Sequence, residues 1–204
     1  MKLRVALLWL AGVRTLLALV AIPLAPFLYR EHFVVLVLLR PTKEVLLAGG
    51  FLVRAGDANV LLILAAAIPL MVLGVWHFFY LGRAYAREIR NGDLPVLGSR
   101  LLPVKRIKAL QKVLRKRGNR LVFVGRIAAF PSTLVAAAAG SAKLPERGFL
   151  LADGLGALAS IVEVFGAGYL LGEAHDEAGP WVTGVGVAFL FAMLFLLGRY
   201  LKQE

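Results

Sequence analysis

The chain has 204 residues, of which 60% are hydrophobic, and its formal net charge is +12. Its mean hydropathy of +0.79 is too high for an ordinary soluble domain, in which about half of the residues are apolar, so we predict one integral membrane domain over residues 1–204. The chain has no cysteine, which excludes disulfides and thiolate chemistry. The three histidines, at positions 32, 77 and 175, do not have the spacing of a metal motif, and we expect no metal and no cofactor.

The first apolar segment, residues 5–28, is long enough to cross a membrane, which takes about 20 residues. It is too long for the core of a secretory signal, so we predict a retained helix. Pro23 and Pro26 mark its expected exit from the membrane. Arg14 is expected to face protein or to snorkel, because a charge that faces lipid is costly.

The second apolar segment, residues 33–53, carries Arg40, Pro41, Lys43 and Glu44 at its middle. Each central charge costs roughly 2.5–3.5 kcal/mol on insertion scales, and proline breaks a helix. A plain span is therefore improbable. We predict two half-helices that meet at Pro41 as a re-entrant hairpin, with the break facing a protein-lined or aqueous cavity.

A clean span at residues 60–81 precedes a basic segment, residues 83–120. Twelve basic and two acidic residues lie in that segment, so it holds ten of the twelve net positive charges. One basic loop between apolar spans is typical of the cytoplasmic side and does not indicate a nucleic-acid partner. Inside it we predict an amphipathic helix on the cytoplasmic leaflet, the alternative being a solvated charged helix. Its lipid-surface residues would be Lys105, Arg106, Lys112, Arg115, Lys116 and Arg117.

Residues 121–142 form a second interrupted segment, with Arg126 and Pro131 inside it. A span at 150–171 follows. It carries Asp153 and Glu163, and after it come acidic residues 173–177 without a basic one. The acidic stretch is predicted to be external. The last predicted span covers residues 181–200, which places both termini on the cytoplasmic side.

A repeated pattern supports this organisation. Residues 41–50 match residues 131–140, and residues 81–84 match 171–174 at the same offset of ninety positions. The predicted re-entrant breaks contain Pro41, Gly49, Gly50, Pro131 and Gly140. Internal repeats with interrupted apolar segments are typical of transporters. The predicted fold is an all-α polytopic membrane protein, an inverted repeat of a re-entrant helical hairpin plus a transmembrane helix (33–82 and 121–172), with extra N- and C-terminal transmembrane helices.

The second repeat resembles the DedA/VTT (SNARE-associated) family of membrane proteins. The residues that carry the resemblance are the segments 125–134 and 139–145, Phe149, Gly156-Ala157 and 168–172. The family has an Arg-Phe-x-Pro-x-x-Arg segment followed by Ala-Gly, Pro, Phe, Gly-Ala and a Gly-Tyr-x-x-Gly helix end. The first repeat is similar to the family's Pro-x-x-Glu, with Glu44 as the acid. The family's second Arg falls on Ser132 here, and its Pro is displaced to Pro131.

This resemblance implies re-entrant loops that face each other and transport of lipids across the membrane. Bacterial members are associated with recycling undecaprenyl phosphate or moving phosphatidylethanolamine, and eukaryotic relatives are lipid scramblases. The leading hypothesis is therefore a lipid translocase of the cell membrane. Its predicted transport residues are Lys43, Glu44, Arg126, Ser132, Asp153 and Glu163.

We expect Arg126 to hold the lipid phosphate, since guanidinium pairs with phosphate oxygens. Its alternative is a snorkelling residue near the inner face. Glu44 is expected to pair with Arg126 directly or through a bound headgroup, and Glu163, at mid-span, to be a buried acid that neutralises charge or carries protons. Asp153 has an alternative reading as an interfacial charge near the start of its helix.

Three other hypotheses compete with lipid translocation. A proton-coupled transporter of a small solute or drug would use the same clefts. An enzyme that cuts lipid phosphates would need a nucleophile with a positioned base or metal, and we find no such constellation, so we expect no enzyme. A structural protein would use the spacing of Gly168 and Gly172 for helix packing. Membrane lipids are the expected partners, with protons as a candidate coupling ion and the oligomeric state left open.

Overall fold

The computed structural model describes residues 2–128 and 130–178, and in these two ranges every regular element is a helix. The elements are α1 (Lys2–Glu31), α2 (Phe33–Leu39), α3 (Lys43–Arg54), α4 (Val60–Ala84), α5 (Ala86–Asn91), α6 (Val96–Leu101), α7 (Val104–Arg117), α8 (Asn119–Ile127), α9 (Ser132–Ser141) and α10 (Glu146–Ala178). The predicted last span, residues 181–200, lies outside the described residues.

Within the described residues, three helices are long and apolar enough to cross a membrane, over Leu3–Tyr29, Val60–Ala84 and Glu146–Gly172. α1 covers the predicted first segment, residues 5–28, and continues through Pro23 and Pro26 to Glu31. Prolines are tolerated inside membrane helices when neighbouring groups satisfy the freed backbone carbonyls.

The last described helix is also longer than predicted. It begins at Glu146 and runs to Ala178, so the acidic residues 173–177, predicted to form an external loop, continue the helix. The helix is longer than its apolar segment because polar residues do not themselves end a helix. Neither Gly168 nor Gly172 breaks it.

Both interrupted segments break beside their prolines. α2 ends at Leu39 and α3 begins at Lys43, on either side of Pro41; α8 ends at Ile127 and α9 begins at Ser132, directly after Pro131. Proline lacks an N–H and disfavours helical backbone in the residue before it, which explains why the breaks fall there. The four arms have 7, 12, 9 and 10 residues, each shorter than the roughly 20 residues that a span requires.

The short helix of each repeat packs against the long helix of the other repeat. α3 crosses α10 at Gly50 and Gly168: a Cβ on Gly50 would overlap the carbonyl oxygen of Phe165, and a Cβ on Gly168 would overlap that of Leu47. This contact is backbone against backbone. Only glycine permits so close an approach.

The crossing of α9 with α4 repeats this arrangement. A Cβ on Gly140 would overlap the carbonyl oxygen of Phe79, and a Cβ on Gly82 would overlap that of Ala137. In both crossings, each glycine meets the carbonyl three residues before the partner glycine. In the sequence repeat, the offset of ninety positions aligns Gly82 with Gly172. In the structure, the residue that makes the same helix contact as Gly82 is Gly168, about one helical turn before Gly172.

The basic segment folds onto the protein instead of lying free. In α7, Ile107 and Leu114 are buried, and Gln111 Nε2 donates a hydrogen bond of 2.7 Å to Ser141 Oγ at the end of α9. Part of the apolar face of α7, which we expected to rest on the membrane surface, is therefore covered by the chain itself, while Val113 is 40% exposed. A sequence pattern identifies an apolar face but not its partner. The six basic residues predicted to bind lipid are all exposed.

Candidate functional site

The two helix breaks line one cavity of about 400 Å³. Residues 40–44 form one side of it and residues 130–133 another, and the long helices contribute Arg14, Met71 and Ser160. The cavity thus unites Pro41 and Pro131, which are ninety positions apart in the sequence.

A hydrogen bond connects the two breaks. Lys43 Nζ, in the first turn of α3, donates to the carbonyl oxygen of Ile127 at the end of α8 over 2.8 Å. The last carbonyls of a helix have no intrahelical partner and carry partial negative charge, so they attract a cation. Lys43 therefore fixes the first break against the second.

Arg126 lies on α8 between the cavity and α10. The residue is 6% exposed, and its Nη2 donates to the carbonyl oxygen of Met71 on α4 over 2.7 Å. The stem of Arg126 packs against Gly156, where an added Cβ would lie 2.9 Å from the Cβ of Arg126. A residue buried between three helices is not snorkelling to an interface, so that alternative is wrong.

The carboxylate beside Arg126 belongs to Asp153. Arg126 Nε lies 3.8 Å from Asp153 Oδ1, a distance of an ion pair that is too long for a hydrogen bond. Asp153 is 2% exposed, so its carboxylate is buried inside the protein. The expected direct pairing of Glu44 with Arg126 does not occur. Glu44 instead lies exposed at the cavity wall, in the first turn of α3.

Arg14 faces protein, one of its two expected positions, and joins this site from α1, although it was not among the predicted transport residues. Its Nη2 donates to the carbonyl oxygen of Leu70 over 3.1 Å, one residue before the carbonyl that Arg126 uses. The guanidinium occupies the space over Gly74, where any Cβ would overlap it. The one sequence feature that could have indicated a role for Arg14 is its charge inside an apolar segment.

The remaining predicted residues divide into two groups. Ser132, Pro41 and Pro131 line the cavity. Glu163 does not: its side chain is exposed on α10, while Ser160 of the same helix faces the cavity. The expectation of a buried Glu163 fails because α10 is apolar on nearly all sides, so its sequence does not mark which face is buried.

The glycines of the predicted breaks lie away from the cavity. Gly50 and Gly140 form the helix crossings, and Gly49 packs on α2, where an added Cβ would lie 3.0 Å from Phe33 Cε1. Their role in the fold is close packing, and the cavity itself is formed at the proline ends of the breaks.

The cavity carries an excess of positive charge. Arg14, Arg40, Lys43 and Arg126 line it, and Glu44 is the one acidic side chain among the described lining residues. Positive charge beside free backbone groups at helix ends is suited to an anion.

These features define a helical membrane protein whose two broken helical segments enclose a cationic cavity. The chain belongs to the VTT domain family, as a family profile described as the VTT domain matches residues 41–170. The resemblance drawn from the sequence is thereby confirmed. Arg14 and the rest of α1 lie before the matched region.

Two curated relatives are named "Alkaline phosphatase-like protein". One, from Lactococcus lactis subsp. cremoris (strain MG1363), is 27% identical over 167 residues, which cover 79% of this chain and 77% of the relative. The other, from Lactococcus lactis subsp. lactis (strain IL1403), is 28% identical over 172 residues, which cover 78% of this chain and 79% of the relative. No solved structure matches this chain significantly.

Proposed function

We propose that the protein is a lipid translocase of the cell membrane. It moves a phosphate-bearing lipid, either undecaprenyl phosphate or a phospholipid such as phosphatidylethanolamine, between leaflets. The observation that carries this proposal is the cationic cavity between the two breaks, with four basic side chains and one carboxylate. A lipid headgroup needs such a polar site to leave the interface, because hydrocarbon offers it no hydrogen bonds.

The membrane arrangement is part of the proposal. Each broken segment enters and leaves the membrane on the same side, and the two segments open to opposite sides as an inverted repeat. The short arms and the two equivalent glycine crossings support an internal repeat. Both termini and the basic segment are cytoplasmic. Such a repeat allows the site to open to either side in turn.

Each charged residue of the cavity has a distinct role. Arg126 and Arg14 hold phosphate oxygens with their remaining N–H groups, since a guanidinium has five donors and each uses one on an α4 carbonyl. Lys43 adds a third cation, and the Ser132 hydroxyl a further donor. Glu44, exposed at the wall, compensates charge or exchanges a proton with solvent.

The name of the two relatives points to phosphate chemistry, which the cavity also supports. We propose recognition of a phosphate group without its hydrolysis. The alternative to lipid transport is proton-coupled transport of a small solute or drug, because a cavity of about 400 Å³ lies within the range of small-molecule sites.

The test is lipid movement in proteoliposomes, with headgroup-specific probes and with or without a proton gradient. Wild-type protein should move a phosphate-bearing lipid, while Arg126→Lys and Glu44→Gln should impair movement in correctly inserted protein. Inorganic phosphate release, measured in the same vesicles, distinguishes hydrolysis. Uptake of a soluble compound without any lipid movement would favour the alternative. Wild-type rates in both variants would refute this assignment of the site.

A further inference from the structure

A second basic cavity lies apart from the helix breaks. Its volume is about 670 Å³, and it is formed where α1, the end of α4, α5 and the turn after α9 meet. Five basic side chains line it, and no acidic side chain is among its described lining residues. These five are Arg4, Arg83, Arg87, Arg90 and Lys143.

Two of the five cations are held by carboxylates at the edge of the cavity. Arg4 Nη1 lies 2.9 Å from Glu88 Oε1, and Arg83 Nη1 lies 2.9 Å from Glu146 Oε2. Arg87, Arg90 and Lys143 make no ion pair with any described residue. The cavity therefore has three uncompensated positive charges beside two arginines that are already fixed in position.

Lys143 occupies an unfavourable backbone conformation. Its φ is +59°, in the left-handed region that favours glycine. Its backbone N–H donates to the carbonyl oxygen of Gly140 over 3.0 Å, which closes the end of α9. This is the position after a helix where glycine is the usual residue. A lysine there adds a charge to the cavity at a cost in backbone energy.

We propose that this cavity binds a phosphate-bearing anion on the side of the basic segment. Arginine pairs bidentately with phosphate oxygens, and basic pockets between membrane helices on the cytoplasmic side bind anionic headgroups. The anion is either the headgroup of an anionic phospholipid or a free oligophosphate from solution. When bound, it holds α1 and the turn after α9 against α4 and α5. The site is separate from the proposed translocation cavity and does not depend on it.

The experiment uses the full chain in phosphatidylcholine nanodiscs. In one arm phosphatidylglycerol is added to the disc, and in the other pyrophosphate is added to the solution. Both arms measure the shift in unfolding temperature and an apparent affinity for the added ligand. Arg87→Gln/Arg90→Gln should weaken binding by about fivefold per charge removed. The matched control is Arg100→Gln/Arg120→Gln, which removes two exposed arginines of the same segment that do not line the cavity. This control should bind as the wild type does.

Lys143→Gly separates binding from folding. It should raise the unfolding temperature without ligand, because glycine relieves the left-handed backbone, and at the same time weaken binding about fivefold. A shift with phosphatidylglycerol alone assigns a lipid headgroup, and one with pyrophosphate alone a soluble anion. The proposal is overturned if neither ligand shifts unfolding, or if the site and control variants lose affinity equally. Lipid movement is not read in this experiment, so its outcome is independent of the translocase proposal.

Discussion

Arg126 and Asp153 form an ion pair between α8 and α10 that is almost inaccessible to solvent, with side chains 5% and 3% exposed. The pair orients the guanidinium toward the cavity and, with the hydrogen bond to Met71, ties three helices together. Removing one partner of a buried pair leaves an uncompensated charge, which costs more than the pair itself contributes.

Asp153→Asn should therefore lower the free energy of unfolding by about 3 kcal/mol, measured by denaturant titration in detergent. Glu163→Gln, on the exposed face of the same helix, is the control and should stay within about 0.5 kcal/mol of wild type. If Asp153→Asn were as stable as Glu163→Gln, the buried ion pair would not be important for stability.

Arg126→Lys should fold but transport poorly, since lysine retains the charge and loses the bidentate geometry.

Gly74→Ala should impair transport by displacing Arg14 without changing any charge, because its Cβ would overlap the Arg14 guanidinium. One charge-assisted hydrogen bond contributes about 1.5–3 kcal/mol. Its loss should therefore lower the transport rate roughly tenfold or more. The measurement is lipid movement in proteoliposomes, normalised to inserted protein.

Gly166→Ala is the matched control for Arg14. Gly166 is also in a long helix, and an added Cβ there meets no atom within 4 Å. Helix propensity alone should make both Gly→Ala changes slightly stabilising. If Gly74→Ala transports as fast as Gly166→Ala, Arg14 has no part in the site.

The two glycine crossings should respond alike to substitution. Gly50→Ala and Gly140→Ala each force a Cβ into the backbone of the partner helix, and overpacking of this kind costs typically 1–3 kcal/mol. Gly49→Ala should cost less, because its Cβ would meet the ring of Phe33 instead of backbone. Unfolding in detergent measures all three. A large cost at one crossing and none at the other would show that they are not equivalent.

Single cysteines should report the proposed topology without background, because the chain has no cysteine of its own. Asp57→Cys, in the exposed turn after α3, should react with a membrane-impermeant thiol reagent from outside the cell. Lys143→Cys, also exposed, should react only after the membrane is opened. The reverse pattern for either residue would rule out the proposed arrangement.

Local chemistry made much of the helical organisation predictable. Apolar length identified the spans at α4 and α10, and proline beside charge identified the breaks at Pro41 and Pro131, because both effects act within a few residues of the chain. Proline alone was insufficient: Pro23 and Pro26 do not end α1. Arg126 and Lys43, predicted as transport residues because charges are scarce in apolar segments, both line the cavity.

Only the tertiary structure decided which charges meet. Asp153, not Glu44, is the partner of Arg126, and Arg14 reaches the cavity from a helix outside the repeats. α7 contacts α9 through Gln111 and buries Ile107 and Leu114, and the Glu163 side chain is exposed away from the cavity. The physical reason is that hydropathy and helix breaks are properties of one segment, whereas side-chain partners depend on how each helix is rotated and crossed. Here the crossings of α3 with α10 and of α9 with α4 set those rotations through contacts that glycine alone permits.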